Sequence, residues 1–322
     1  MTMKRLVLML VLCAAGSVLY AQEKDSLLVM FWNVENFFDW TDQGTGESDK
    51  EFSSYGTRRW TRKRFYIKCD AIAKSILWTG DRYGRIPDVI GLAEIENKGV
   101  LTKLLNSTLL RKYDYSIIHH ESGDRRGIDV ALIYRNSSMT HISTTVLTPG
   151  SDGVLMNTRD ILHVGMMTSD GDTVDFIVNH HPSKYGGAEE SSQRRNIVMS
   201  SLKSLCDSLQ YSRHKDRIVV MGDFNDTPDA PQFSIMDGMV NHGLDPFSRG
   251  EGSIRYKGKW ELIDMFMTSE YVNTSDMDIV QIPFLMTYEK GFPGMRPLRT
   301  YSGPRYIGGV SDHCPVVMVL HD

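Results

Sequence analysis

Cysteine is scarce, with four in 322 residues, and one of the four, Cys13, lies in an N-terminal apolar run. The other three, Cys69, Cys206 and Cys314, are too few and too far apart for a disulfide framework, although one pair is possible. No apolar stretch is long enough to cross a bilayer. Positive charge is not in excess: 36 Lys and Arg stand against 40 Asp and Glu, a net charge of −4. A protein that grips long duplex nucleic acid nonspecifically is usually basic at least in patches, so the acidic balance argues mildly against that role. There is no internal repeat, no low-complexity tract, no linker that would divide the chain, and no Cys/His spacing of the zinc type. What remains is an ordinary globular composition long enough to bury a large α/β core.

The first residues are a case apart. Lys4 and Arg5 precede the apolar run Leu6 to Leu19, and Tyr20-Ala21-Gln22 offers a small residue before a polar start. This is the pattern of a secretory signal peptide over residues 1–21, and it implies a periplasmic or secreted protein. Leu12 before Cys13 disfavours lipidation. Cleavage would remove Lys4 and Arg5 and take the net charge from −4 to −6.

The remaining chain, 22–322, alternates short Val/Ile-rich runs with helical patterns, the signature of α/β architecture. The runs share one habit: each ends in polar groups. Leu27 to Trp32 ends in Asn33-Val34-Glu35-Asn36, and Pro87 to Ala93 ends in Glu94. The strand closing at Val178 leads to Asn179-His180-His181. Ile218 to Met221 ends in Gly222-Asp223-Phe224-Asn225, and Ser311-Asp312-His313 precedes the last strand, Val316 to Leu320. Asp129 and Asp264 stand inside otherwise apolar strands, where a buried acid needs a partner. His180 and His181 face opposite sides of extended backbone, so one of them can enter a site. Helices are expected over about 63–78, 97–110 and 188–211. Asp39 to Thr57 and Phe292 to Gly309 read as loops. Arg58, Arg59, Arg62, Lys63 and Arg64 around Trp60 form a basic cluster that either meets phosphates or is a solvated helix start.

Polar groups delivered to one sheet edge from distant strands are how α/β enzymes build sites. Carboxylate and carboxamide oxygens without a Cys/His cluster suit a hard ion, Mg²⁺ or alternatively Mn²⁺ or Ca²⁺. Histidines beside carboxylates suit proton transfer and charge stabilisation. Together they suggest metal-assisted attack of water on a phosphoester.

In order along the chain, Trp32-Asn33-Val34-Glu35, Leu92-Ala93-Glu94, Asn179-His180, Gly222-Asp223-Phe224-Asn225, Ile263-Asp264 and Ser311-Asp312-His313 resemble the motifs of the endonuclease/exonuclease/phosphatase superfamily. The resemblance implies a four-layer α/β sandwich, two mixed β-sheets face to face with helices outside. It implies that Asn33, Glu94 and Asp312 hold the metal, with Glu35 behind them. Asp223 would align or deprotonate the attacking water, with Asn225 as its partner on the phosphate. His313, oriented by Asp264, and His180, which we expect Asp129 to orient, would contact the phosphate. A histidine at 180 matches the deoxyribonuclease and sphingomyelinase branches. The expected partner is a phosphoester, nucleic acid in the first instance, hydrolysed by a monomer without a membrane anchor or protein partner. Alternatives are a phosphatase or phospholipase C-type enzyme acting on lipid, sphingomyelin, sugar or inositol phosphates, or an inactive binding module. No apolar hairpin of the membrane-docking kind is evident.

Overall fold

A computed structural model describes residues 26–184, 187–212 and 217–321. The expected signal peptide lies outside them. Two mixed sheets make the core. The first is built on β1 (Ser26–Phe37), β2 (Val89–Ile95), β3 (Tyr115–His119) and β4 (Asp129–Arg135). The second takes β5 (Met139–Leu147), β6 (Ile161–Thr168), β7 (Thr173–His180), β8 (Ile218–Asp223), β9 (Met239–Asn241) and β10 (Asp264–Ser269). The chain then returns to the first sheet with β11 (Val316–His321). In space the first sheet runs β11-β1-β2-β4-β3, with two short strands, Asn273–Thr274 and Asp278–Ile279, paired to β11. The second runs β9-β10-β8-β7-β6-β5. β1 with β2 and β7 with β8 are parallel; the other pairs within these sheets are antiparallel.

The central strands are buried on both faces, which is why they read as unbroken apolar runs rather than alternating ones. One face of β1, β2 and β4 meets the second sheet through Phe31, Val89 and Leu132 against Phe176, Val220 and Met221. The sheets approach closely at Gly91, where an added Cβ would stand 2.5 Å from the Met221 sulfur. The other face packs on the helix Arg62–Tyr83 and the helix Lys98–Ser107 through residues such as Trp32, Phe65 and Ile72. Thr61 and Asn97 cap these helices by accepting the Arg64 and Val100 amide protons. A third long helix, Ala188–Ser212, covers the second sheet through Val198, Met199 and Leu202. The result is the expected sandwich.

Both expected loops carry some regular structure. The first holds a short helix, Glu47–Glu51, and the second holds strand pieces Met295–Pro297, Tyr301–Ser302 and Arg305–Tyr306. A small hairpin, Gly150–Ser151 with Val154–Leu155, exposes Val154 and Leu155 to solvent; its two-residue strands are too brief to stand out in the sequence.

Register decides what happens at the sheet edge. Parallel pairing sets Asp223 beside His180, and antiparallel pairing sets it beside Asp264. The ends of β7 and β8 and the start of β10 therefore lie side by side. In the first sheet Asn33 pairs with Ala93, so Glu94 follows directly alongside.

Candidate active site

Asn33, Glu94, His180, Asp223, Asn225, Asp312 and His313 all line one cleft of about 620 Å³. Asp264 stands immediately behind it. Asp223 is the centre. It is 1% exposed, accepts the Asn33 side-chain amide at 3.0 Å through Oδ2, and accepts the Asn225 backbone N–H at 2.9 Å through Oδ1. His180 Nε2 lies 3.5 Å from Asp223 Oδ2, and His313 Nε2 lies 3.8 Å from the same oxygen. His313 Nδ1 is 2.7 Å from Asp264 Oδ2, which fixes the ring so that Nε2 faces the cleft. Ser311 supports the turn: its hydroxyl donates to the Asn33 carbonyl and accepts the His313 amide. The side chain of Asn225 donates to the His181 carbonyl.

The backbone is strained where the cleft begins. Glu35, Asn36, Glu94 and Asn225 have positive φ, between 48° and 63°. Non-glycine residues rarely adopt this conformation, and its concentration at one place marks a built site. At Glu94 the ladder between β2 and β4 shifts register, which swings the side chain out of the sheet and into the cleft.

Electrostatics divides the cleft in two. Burial opposes charge on His313, but Asp264, with its hydrogen bond, and then Asp223 and Asp312 outweigh burial and hold the imidazole well above its ordinary pKa. His180 is pushed the other way, by burial and by the Arg159 and Arg126 charges. Burial, together with Asp264, raises Asp223 to about 7 against the opposing pull of His313 and its hydrogen bonds. At neutral pH the cleft thus offers a cationic imidazole on one side, a neutral one on the other, and a carboxyl poised between its two forms.

The acidic end is held by cations that sequence reading passed over. Arg299 lies 2.9 Å from Glu35 and 3.2 Å from Asp312. Lys68 is 1% exposed and donates to the Glu35 carbonyl and to the Thr300 hydroxyl at 2.9 Å. Arg126 donates to the Asn36 side chain at 2.6 Å and lies 3.6 Å from Glu94. Arg159 is fixed by Asp124 at 3.1 Å and by the His181 carbonyl at 2.5 Å. These residues come from loops or from a helix face with no local signal for a site. The one available hint was the richness of 292–309 in Gly, Pro and Arg.

One expectation fails. Asp129 does not orient His180. Its Oδ1 is taken by the backbone and hydroxyl of Ser122, and its Oδ2 lies 3.4 Å from His119. The acid did need a partner, and it found one on the neighbouring strand β3, in His119, whose register partner Ala131 lies two residues along β4 from Asp129. Trp60 in the basic cluster is a core residue, 1% exposed, donating to the Phe38 carbonyl. Its flanking arginines stack on aromatics, Arg58 over Tyr301 and Phe52, Arg62 over Trp40, Arg64 over Tyr306, and Arg62 and Lys63 are exposed in the first turn of the helix, the solvated start that is the second of the two readings.

The donor set fits a hard divalent ion. Glu94 and Asp312 bring carboxylate oxygens to the end of the cleft beside Asn33, with Glu35 held behind them by Arg299 and the Thr300 amide, and the Lys68 charge acts on all three carboxylates. Asp223, Asp264 and His313 are also close enough to share an ion, but the 2.7 Å His313–Asp264 contact has the length of a hydrogen bond, so that pair is already satisfied by a proton.

A family model described as "Endonuclease/Exonuclease/phosphatase family" matches residues 28–322. The chain belongs to the endonuclease/exonuclease/phosphatase family. As a member of it, the protein is a phosphoesterase. A search of curated proteins finds no match. Among solved structures, the family's fold recurs at low identity. A mannosyl-6-phosphatase of Bacteroides thetaiotaomicron is 14% identical, with TM-score 0.60, over 92% of this chain and 100% of that one. The human Nocturnin catalytic domain, solved with bound sulfate, is 15% identical, with TM-score 0.56, over 92% and 93%. TDP2 of D. rerio, complexed with a single-strand DNA product, is 12% identical, with TM-score 0.56, over 92% and 99%. At these identities the likeness concerns the fold alone.

Proposed function

We propose that the protein is a divalent-metal-dependent phosphodiesterase that hydrolyses nucleic acid outside the cytoplasm. The observation that carries this reading is the row of arginines set among the acids of the cleft. Arg125, Arg126, Arg159, Arg194 and Arg299 line it, and a second cavity of about 280 Å³ adjoins it through Glu35, Asn36 and Arg299. That second cavity adds Arg58 and Arg296 beside Phe52 and Tyr301. Arginines spread over two adjoining cavities suit a strand carrying several phosphates. The pattern Lys4-Arg5 followed by Leu6 to Leu19 supports export.

In this reading Asn33, Glu94 and Asp312 would hold the ion, with Glu35, whose carboxylate is taken up by Arg299 and the Thr300 amide, behind them. When bound, it would polarise a phosphoryl oxygen and neutralise charge developing on the phosphate. Asp223, as carboxylate, takes a proton from the attacking water, and Asn33 and Asn225 fix the direction of its lone pairs. His313, cationic and braced by Asp264, hydrogen-bonds the phosphoryl oxygens where negative charge grows. His180, neutral, contacts the phosphate from the opposite sheet.

A second reading is a phosphatase for a small phosphoester. The overall negative charge favours it, and one relative of the same fold carries the name mannosyl-6-phosphatase. The two readings part in one assay. The purified protein is incubated with Mg²⁺, Mn²⁺ or Ca²⁺ and with plasmid DNA, RNA, sphingomyelin, bis-p-nitrophenyl phosphate and sugar phosphates. Cleavage of nucleic acid and of the simple diester is expected, and release of phosphate from sugar phosphates alone would sink the nuclease reading.

A further inference from the structure

The smaller cavity beside the cleft holds more positive charge than its own walls can match. Arg58, Arg296 and Arg299 line it, and Glu35 is the one carboxylate among its lining residues. Glu35 is already engaged: Arg299 Nε donates to one of its oxygens at 2.9 Å and the Thr300 amide to the other at 3.0 Å. Arg299 also meets Asp312 at 3.2 Å, and Arg58 is paired with Glu51 at 2.6 Å. Arg296 is the surplus. It is half-buried, no carboxylate among the described residues forms an ion pair with it, and its Nε is buried without a hydrogen-bond partner.

The backbone that carries Arg296 is held in place. Arg296 pairs with Thr287 in a short antiparallel ladder, Met286–Tyr288 with Met295–Pro297. Arg255, its own charge met by Glu289 at 3.1 Å, donates to the Pro293 carbonyl at 2.6 Å and to the Met295 carbonyl at 3.3 Å. The Leu298 amide donates to the Leu285 carbonyl at 2.7 Å, and the Val310 amide to the Leu298 carbonyl at 2.9 Å. Gly309 packs on that carbonyl with no space for a side chain. The turn bearing Asp312 and His313 follows directly, so the arginines are registered to the reacting groups. A guanidinium is a planar fork that matches phosphate oxygens two at a time. The cavity shares Glu35, Asn36 and Arg299 with the cleft, so an anion seated in it lies beside the phosphate being attacked.

We infer that the cavity of Arg58, Arg296 and Arg299 is a subsite for a second phosphate of the substrate, next to the one that is hydrolysed. The inference rests on the nuclease reading of the cleft and narrows it: a lone diester linkage is a poor substrate, and one with a neighbouring phosphate is a good one. That phosphate is either a terminal monoester or the next diester of a longer strand, and both offer the same oxygens to the guanidiniums. Arg296 does not touch the reacting atoms. It determines which substrates are held long enough to react.

The test compares d(TpT), which has only the phosphate to be cleaved, with d(pTpT) and d(TpTp), which add a terminal phosphate on either side, and with d(TpTpT), which adds a second diester. In the metal-loaded protein at least one of the longer substrates should have a kcat/KM about 10-fold or more above that of d(TpT), mainly through KM, as expected for a charge-assisted contact. The one that gains tells a terminal phosphate from an in-chain one. Arg296→Gln should shrink the ratio to about 2-fold or less, and Arg296→Lys, which keeps the charge but loses the fork, should retain part of it. Equal kcat/KM on all of these substrates, or an unchanged ratio in a folded Arg296→Gln, would overturn the subsite and leave the nuclease reading standing. Hydrolysis of bis-p-nitrophenyl phosphate but of none of the thymidine substrates would end both. The comparison in the unaltered protein needs no variant, so it decides even where Arg296→Gln does not fold.

Discussion

His180 and His313 face the same carboxylate from different sheets and live in opposite surroundings. His313 stands among three acids, Asp264, Asp223 and Asp312, and keeps its proton. His180 is as deeply buried but has Arg159 and Arg126 for neighbours, and loses its proton. Burial alone would neutralise both, so the charges placed around them, not depth, separate their states. Two copies of one residue type thereby become a cationic anchor and a neutral hydrogen-bonding group, with Asp223 held near pH 7 between them.

The comparison can be broken most forcefully at its centre. Asp223→Asn is expected to lower turnover by roughly 10³-fold, on the order of what a positioned general base supplies. The folded variant, verified by circular dichroism, would be assayed on bis-p-nitrophenyl phosphate. Wild-type rates in it would remove Asp223 from the reaction.

A smaller effect is expected from Asp264→Asn, about 10-fold to 100-fold. Asp264 is the largest influence that raises the His313 pKa. The reactive imidazole is the protonated form, so activity falls as pH rises through that pKa. Removing the acid lowers the pKa, and the alkaline limb of the rate profile should move to lower pH. An unmoved limb would mean that another group titrates there.

The mildest perturbation is Arg159→Gln, which takes a positive charge from beside His180. Its pKa should rise toward the ordinary imidazole value, read by NMR titration of the His180 ring, while turnover at pH 8, where both states are neutral, changes by less than about 10-fold. A fall in the pKa instead would show that Arg159 acts on His180 other than by charge.

The same division explains what could be read in advance. Asn33, Glu94, His180 and Asp223 were visible because each interrupts an apolar run at a strand end, and strand ends in one sheet layer meet. Asp264 and His313 were found through the order of motifs, since they come from segments separated in sequence and only the antiparallel pairing of β8 with β10 brings Asp264 to Asp223. Arg126, Arg159 and Arg299 were not legible. Each is an arginine in irregular chain, and nothing local distinguishes it from a solvated one. Asp129 was misread for the converse reason: the need of a buried acid for a partner is a local rule, but the choice of partner is tertiary, and His119 and Ser122 won. The fold was the easier part, because burial of β1, β2 and β8 on both faces writes itself into composition.

The positive φ angles at Glu35, Asn36, Glu94 and Asn225 bear on how this protein tolerates improvement. The left-handed conformation costs an ordinary residue about 1–2 kcal/mol, and glycine would relieve it. Any screen that selects only for heat resistance will therefore be drawn to these four positions, and will be rewarded there with sturdier molecules lacking the side chains that face the substrate. Selection for activity and selection for thermal endurance pull against each other at this one edge of the sandwich, while the Val and Ile positions beneath it are free to satisfy both.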